Sequence, residues 1–507
     1  MKTRLTPFSK LLIVVIVIGG LVLLVYKTNI LDIVAPSGKP AEGKAGTKNE
    51  KVINIGVVTW GGYAGGQYFN EGFKPNKSSR FYKNYGLMVD FKVLDDFNDS
   101  RNAWKADEID LMWATVDAFT TEVEGFKEFQ PQIIFQADWS RGGDAIVVRR
   151  GINTVSDLKG KKIAFAEMTP SHTFLLWLLE AGNLDYSQII PIKVGNAIDA
   201  ADLFKKEQVD AAVVWSPDDA DCISKVSGSK ILQNTKQASY IIADIFVAKK
   251  KFVDKNFDML KDLVEGWMIG AAEINSSEAA KMKAAKILAE GLNQPEDFCV
   301  QAINNVRLCT YGDNVNFFNI SGNYKGVTGE DIYNKMSVKY AKLGYPTSNI
   351  TSWRLVGNPS IIKEINLSGP ENAAESNVKF TVAGDSYKNV QAVSTKAVSI
   401  AFSSGSAQLD ENAKYIIDHE FLDIAKSFAN SRIRIEGNTD NTGNLDLNKR
   451  LSKQRAQAVA DYLINKHGFD PNRFVIIGNG PDKPIATNNT DEGRAKNRRT
   501  DFELLPE

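Results

Sequence analysis

Histidine and cysteine are scarce in this chain, with three of each among 507 residues. His172, His419 and His467 are widely scattered, and Cys222, Cys299 and Cys309 have no histidine at metal-ligand spacing. That removes a clustered zinc centre and leaves no nucleophile–histidine constellation. No metal ligand set, catalytic group or cofactor motif emerges. The cysteines allow one local disulfide, Cys299–Cys309, in an oxidising compartment, with Cys222 left free. An excess of charge is lacking too: 61 basic side chains balance 61 acidic ones, and no strongly basic stretch follows the first ten residues. Nucleic acid is therefore not an implied partner.

Long apolar runs are confined to the start of the chain. LLIVVIVIGGLVLLVY at 11–26 is uninterrupted, and extension through 29–31 brings it near the ~20 residues that span a bilayer. Lys2, Arg4 and Lys10 precede it, so residues 1–10 are read as a cytoplasmic tail and 11–31 as an uncleaved transmembrane helix, with the rest outside. No acidic residue lies within the run; Asp32 follows it. Residues 32–50, rich in Pro, Gly, Ala, Lys and Glu, read as a flexible tether. A second connector is placed at 366–394, with KFTV at 379–382 expected as a short strand.

Between the two connectors, residues 51–365 alternate strand and helix patterns. VINIGVV (52–58), LMVDFKVL (87–94), DLMWAT (110–115), AIVVRRG (145–151), KKIAFA (161–166) and AAVVW (211–215) read as buried strands, and 171–182, 198–207 and 256–274 as helices. The pattern predicts an α/β fold with a mainly parallel sheet. The strand-end rule then selects site candidates: Trp60 and Tyr63 in the Gly-rich loop after the first strand, Thr115 after LMWA, and Trp215 and Asp218 after VVW. Ser171 and His172 stand at a helix N-terminus that favours an anion. Asp218 would suit an amine.

VVTWGGYAGG (57–66), residues 85–119, GGDAIVVRRGINTVSDLKGKKIAF (142–165), SHTFLLWLLEAGNL (171–184) and VDAAVVWSPDD (209–219) resemble solute-binding receptors of the nitrate/taurine/sulfonate ABC-transporter class, over about residues 51–345. The resemblance implies a type II periplasmic-binding-protein fold of two lobes with a hinge, a small polar or anionic solute, and an ABC permease or other membrane partner.

The last segment, 395–507, carries the sharpest motif: TDNTG at 439–443, Asn448, LS at 451–452, RA at 455–456 and GRAKNRR at 493–499. Leu447, Leu451, Val459, Tyr462 and Leu463 predict an amphipathic helix over 445–466. Asn448 and Arg455, seven residues apart, fall on nearly one face of it. A carboxylate on the preceding loop and a guanidinium on the helix together grip a zwitterion. The motif resembles the OmpA C-terminal-like domain, an α+β module that holds peptidoglycan. The resemblance assigns Asp440 and Arg455 to the diaminopimelate of the stem peptide, with Thr442, Asn448 and Arg498 in support.

The combined expectation is a non-enzymatic solute receptor of the cell inner membrane: single-pass, N-terminus cytoplasmic, domains periplasmic, held non-covalently to peptidoglycan. The alternative is a structural or motor subunit laid out like the flagellar stator protein MotB, with the solute domain as spacer or regulator. That role needs an intramembrane carboxylate, which 11–31 lacks. Related pyrimidine-synthesis enzymes carry a cysteine-rich iron motif, which is absent from this sequence.

Overall fold

In the computed structural model the described residues are 52–345, 350–403 and 405–506. The expected membrane helix and tether lie outside them. Among the described residues no helix is long and apolar enough to cross a membrane.

Residues 52–365 build two α/β lobes. Lobe 1 holds β1 (Val52–Val57), β2 (Met88–Val93), β3 (Leu111–Thr115), β4 (Pro131–Ser140), β10 (Ala243–Lys249) and β11 (Val306–Leu308), in the order β11-β4-β10-β3-β1-β2. Lobe 2 holds β5 (Asp144–Val148), β6 (Lys162–Ala166), β7 (Ile190–Val194), β8 (Ala211–Trp215) and β9 (Lys230–Asn234), in the order β7-β6-β8-β5-β9. The chain crosses between the lobes twice, from β4 to β5 and back from β9 to β10.

The sheets are mixed rather than mainly parallel. In each lobe the strand next to a crossing runs against its neighbours: β10 is antiparallel to β3 and β4, and β5 to β8 and β9. A chain that enters each lobe from the other must add a strand from the opposite end, which the βαβ reading omitted. The crossings are tied together. Ser140 Oγ lies 2.8 Å from Thr235 Oγ1, and Gly142 N–H donates to Thr235 Oγ1.

Cys299 and Cys309 form no disulfide; both are free and buried. Cys299 packs in the core of lobe 1, whereas Cys309 belongs to the core shared with lobe 2.

The C-terminal unit is a four-stranded sheet, β12 (Ser394–Val398), β13 (Ile433–Asn438), β14 (Phe474–Gly480) and β15 (Thr500–Leu504), ordered β12-β15-β13-β14. The predicted helix spans Leu445–His467, but Leu447 is exposed, and Ser452, Ala456, Val459, Ala460 and Leu463 face the core. The cause is close approach. A Cβ on Gly437 of β13 would lie 2.1 Å from the Ser452 carbonyl oxygen. The helix rests on its small residues, which turns Leu447 outward.

This unit is fused to lobe 2. One apolar core runs from Ile163, Phe174 and Leu178 through Val393 to Phe421, Val459 and Phe502. Val155 N–H donates to Val393 O at 2.8 Å, Tyr240 N–H to Ser427 O at 3.0 Å, and Lys335 pairs with Asp423 at 3.2 Å.

The connector at 366–394 is ordered against the protein. Glu375 accepts from Arg141 and from the Tyr240 hydroxyl, and its N–H donates to Asp313. One carboxylate thus straps both crossing segments. KFTV forms no strand. Its backbone is held by side chains: Arg432 donates to Thr381 O, Asn472 to Phe380 O, and Asp470 accepts from Phe380 N–H.

Gly437→Ala is expected to push the 445–467 helix off the sheet and cost about 1–3 kcal/mol, read as a lower midpoint in urea unfolding of the full chain. An unchanged midpoint would show that the helix is not seated on Gly437.

Candidate functional site

Two constellations emerge. The first lies where β13 ends. Asp440 is buried in the loop that leads to the helix Leu445–His467, whose N-cap Asn444 accepts from Asp446 and Leu447 N–H. Asp440 Oδ1 accepts from Thr442 N–H at 2.9 Å, and Oδ2 from Arg498 Nη1 at 2.6 Å. Asn448 Nδ2 donates to Thr442 O at 2.8 Å. Asp440, Thr442, Asn448 and Arg498 are therefore one bonded network.

Arg455 joins that network through space. Its guanidinium donates to the carbonyls of Ser406 and Ser403 and lies 4.8 Å from the Phe402 ring. Burial and the nearby positive charge of Arg498 lower its pKa, against the pull of Asp440. Sequence reasoning set Asp440 and Arg455 about the two ends of one ligand; in the structure Asp440 is ion-paired to Arg498, and the Ser403 and Ser406 carbonyls behind Arg455 were missed. Burial alone would raise the Asp440 pKa; the hydrogen bonds from Arg498 and Thr442 outweigh it and hold the carboxyl below its usual range.

The second constellation lies where the two lobes meet. Trp60 donates its indole N–H to Asp138 Oδ2 at 3.0 Å. Its ring lies where a Cβ on Gly143 would be, 2.1 Å from that position. Tyr63 is fully buried and donates its hydroxyl to Asp244 Oδ2 at 2.5 Å. Thr115 stands directly opposite Asp244 across β3–β10, and Asp244 stands directly opposite Asp138 across β10–β4. Cross-strand partners share a sheet face, so Thr115, Asp244 and Asp138 form one row. Asp144, at the start of β5, accepts from Ser140 Oγ at 2.7 Å. The lobes touch through Phe97 and Trp215, whose ring centroids are 6.3 Å apart, and through Asn305 Nδ2 donating to Ser216 Oγ at 2.9 Å.

Three expected residues fit this picture less well. Thr169, not Ser171, caps the helix Pro170–Ala181, and Ser171 is fully buried. His172 packs among Phe165, Tyr186, Tyr340 and Tyr345, and burial lowers its pKa to about 4, which keeps the ring neutral. It is therefore placed in an aromatic nest and supplies no positive charge for an anion. Asp218 is surrounded by Lys205, Asp221 and Asp202, whereas its neighbour Asp219 is the one that acts on Asp144.

Sequence reasoning missed the buried carboxyls Asp117, Asp138, Asp144 and Asp244. Their signal was an aspartate inside or beside an otherwise apolar strand: QADWS, IIADIF and GGDAIVV. Burial is the main cause that pushes Asp117, Asp138 and Asp144 up to about 7. Asp244 is raised further, by burial and then by the Asp138 charge.

For Asp117, Asp138 and Asp144 the folded value lies above the unfolded one near ~3.9, so the folded chain holds more protons across that interval. Their contribution to stability is fully present below ~pH 4 and is lost as pH rises through about 7. Asp440 has the opposite sign: its contribution is present above the unfolded value and is lost as pH falls through its lowered folded value. Asp117→Asn is expected to gain at least about 1.4 kcal/mol on wild type between pH 5 and pH 8, one unit of linkage, in urea unfolding of the full chain. A pH-independent difference would remove Asp117 from this set.

Comparison with known proteins divides the chain in the same way. Residues 401–498 match the OmpA family, and residues 77–276 match the family described as NMT1/THI5 like. Over 107 residues the chain is 40% identical to the probable lipoprotein YiaD of Escherichia coli, a match that covers 21% of this chain and 48% of that protein. It is 44% identical over 103 residues to the peptidoglycan-binding protein ArfA of Mycobacterium tuberculosis, covering 20% of this chain and 31% of that one. The chain thus spans less than half the length of these curated relatives. Among solved structures, the periplasmic aliphatic sulphonate binding protein SsuA of Escherichia coli aligns over 60% of this chain and 96% of its own, at 17% identity and a TM-score of 0.47. The chain therefore carries an NMT1/THI5-like domain at residues 77–276 and an OmpA-family domain at residues 401–498.

Proposed function

We propose that this protein is a non-enzymatic solute receptor of the cell envelope, fixed to the membrane by residues 11–31 and to peptidoglycan by its C-terminal domain. The observation that carries the wall-binding half is the Asp440–Arg498 ion pair with Arg455 beside it. An ammonium approaching Asp440 and a carboxylate approaching the two guanidiniums meet opposite charges already in place, as the zwitterionic end of diaminopimelate requires. Arg498 is half exposed (49%), so a ligand carboxylate reaches it without rearrangement of the core. The name of ArfA, a peptidoglycan-binding protein that shares this domain, is consistent with the assignment.

The receptor half rests on the two lobes, their paired crossings and the polar row between them. Such a joint binds by closure around a small solute. The chain is held at wall and membrane, so the role proposed is sensing or local delivery to a membrane partner such as an ABC permease. A freely diffusing carrier is a poorer match.

The full chain is expected to sediment with purified diaminopimelate-containing sacculi. Asp440→Ala leaves Arg455 and Arg498 facing each other unpaired. Loss of one partner in a desolvated charged contact commonly costs about 2–5 kcal/mol, enough to abolish sedimentation. Arg455→Ala is expected to do the same. Both variants should keep the wild-type circular dichroism spectrum. Sedimentation of both folded variants at wild-type levels would reduce the cluster to a structural ion pair.

A further inference from the structure

A cleft of about 400 Å³ opens on the seam between the two-lobed domain, the connector and the C-terminal domain. Tyr240 and the 324–327 loop wall it on one side, 377–380 of the connector on another, and Lys426, Asn430 and the turn from His467 to Pro471 on the third. All of these belong to one compact unit. The volume falls within the ~300–1,000 Å³ of small-molecule sites. The cleft lies at the C-terminal end of the Leu445–His467 helix, which is about 35 Å long at ~1.5 Å per residue. Asp440 lies beyond the other end, so this place is separate from the wall-binding cluster.

The cleft is cationic. Lys325, Lys379, Lys426 and Arg473 line it, and among the described residues none of the four is in an ion pair. The acids around it are engaged elsewhere. Asp470, which shares the lining, accepts from Phe380 N–H and Asn472 N–H. Asp418 bonds Tyr462 and His467, Asp423 pairs with Lys335, and Asp331 accepts from Thr328. Glu375 is held by Arg141 and Tyr240, and Asp313 by Arg307.

Arg473 is an independent sign of a ligand. It is 2% exposed, and its Nε and Nη2 donate to Ser431 O and Phe428 O at 2.8 and 2.7 Å, whereas Nη1 has no partner. Burial is the only influence on its pKa and lowers it to about 9, so no acid stands near enough to offset a buried positive charge. Its guanidinium lies 5.2 Å from the Phe469 ring and 5.8 Å from the Phe380 ring. Those rings, with Tyr240 and Tyr324, are half-buried and give the cleft aromatic walls. A cation would be repelled here, and an inorganic anion would leave the ring faces wet. A flat organic anion satisfies the charges and the faces together.

We propose that this seam cleft binds a small organic anion with an aromatic body, its charges met by Arg473, Lys379 and Lys325 and its rings by Phe380 and Tyr324. The site is additional to the solute joint and to the wall-binding cluster, and it stands or falls without them. A ligand here touches all three parts of the seam at once and holds the connector to both domains.

The test is isothermal titration of the full-length chain in detergent with naphthalene-2,6-disulfonate, 2-naphthol, 1-naphthylmethylammonium and sulfate. The disulfonate is expected to bind at least tenfold more tightly than each of the other three. Lys325→Glu and Lys379→Glu change exposed side chains. Each is expected to weaken the disulfonate at least fivefold with an unchanged circular dichroism spectrum. Phe380→Leu keeps the apolar bulk, removes the ring and is expected to weaken it at least threefold. Sulfate bound as tightly as the disulfonate would reduce the cleft to an adventitious ion site. Equal binding of 2-naphthol or of the amine would overturn the charge assignment. A disulfonate held equally well by both folded lysine variants would lie elsewhere, the joint between the lobes included, and would overturn the proposal, as would no binding at all.

Discussion

Carboxyl groups withdrawn from water at close quarters cannot all ionise. That constraint governs the centre of this protein. Asp138 and Asp244 face each other across adjacent strands, Asp144 begins the strand that enters the second lobe, and Asp117 stands on the short helix after β3. Their protonation depends on how dry the joint is. Trp60 and Tyr63 are held by the same groups, so the aromatic walls are set by the carboxyls as much as by packing.

The Asp440 cluster solves the opposite problem. Asp440 is buried, but a guanidinium and a backbone N–H hold it charged, and that guanidinium reaches solvent. It is a preformed ionic surface that needs no conformational change. One chain thus carries one acid held charged at a half-exposed ion pair and others that are enclosed and raised to about 7.

Much of this was legible in the sequence where local pattern decides. The strands at 52–57, 88–93, 111–115, 162–166 and 211–215 lie where apolar runs end at turns, and Asp440, Thr442, Asn448 and Arg498 form a bonded cluster where the motif stands. What escaped depends on tertiary pairing. β4 and β10 carry no clean alternation because both their faces are covered, β9 is a short edge strand, and their antiparallel sense follows from the two crossings. Leu447 was assigned to the core by helical spacing, yet the close seat of Ser452 on Gly437 rotates it to the surface. KFTV has strand composition, but Arg432, Asn472 and Asp470 satisfy its backbone first. The buried aspartates were visible as lone acids in apolar strands. Their convergence was not, because residues 117, 138, 144 and 244 meet only once both crossings are made.

The shared core between lobe 2 and the C-terminal domain fixes how a mechanical load would travel. The first strand, β1, belongs to lobe 1, and the OmpA-family domain is welded to lobe 2 through Val155–Val393, Tyr240–Ser427 and a continuous apolar interior. A pull between the first strand and the C-terminal domain would therefore not be borne by a slack linker. It would load the continuous apolar core together with the two crossing segments, the Ser140–Thr235 tie, the Phe97–Trp215 contact and the Glu375 strap. The described residues thus bear load as one compact unit rather than as beads on a thread.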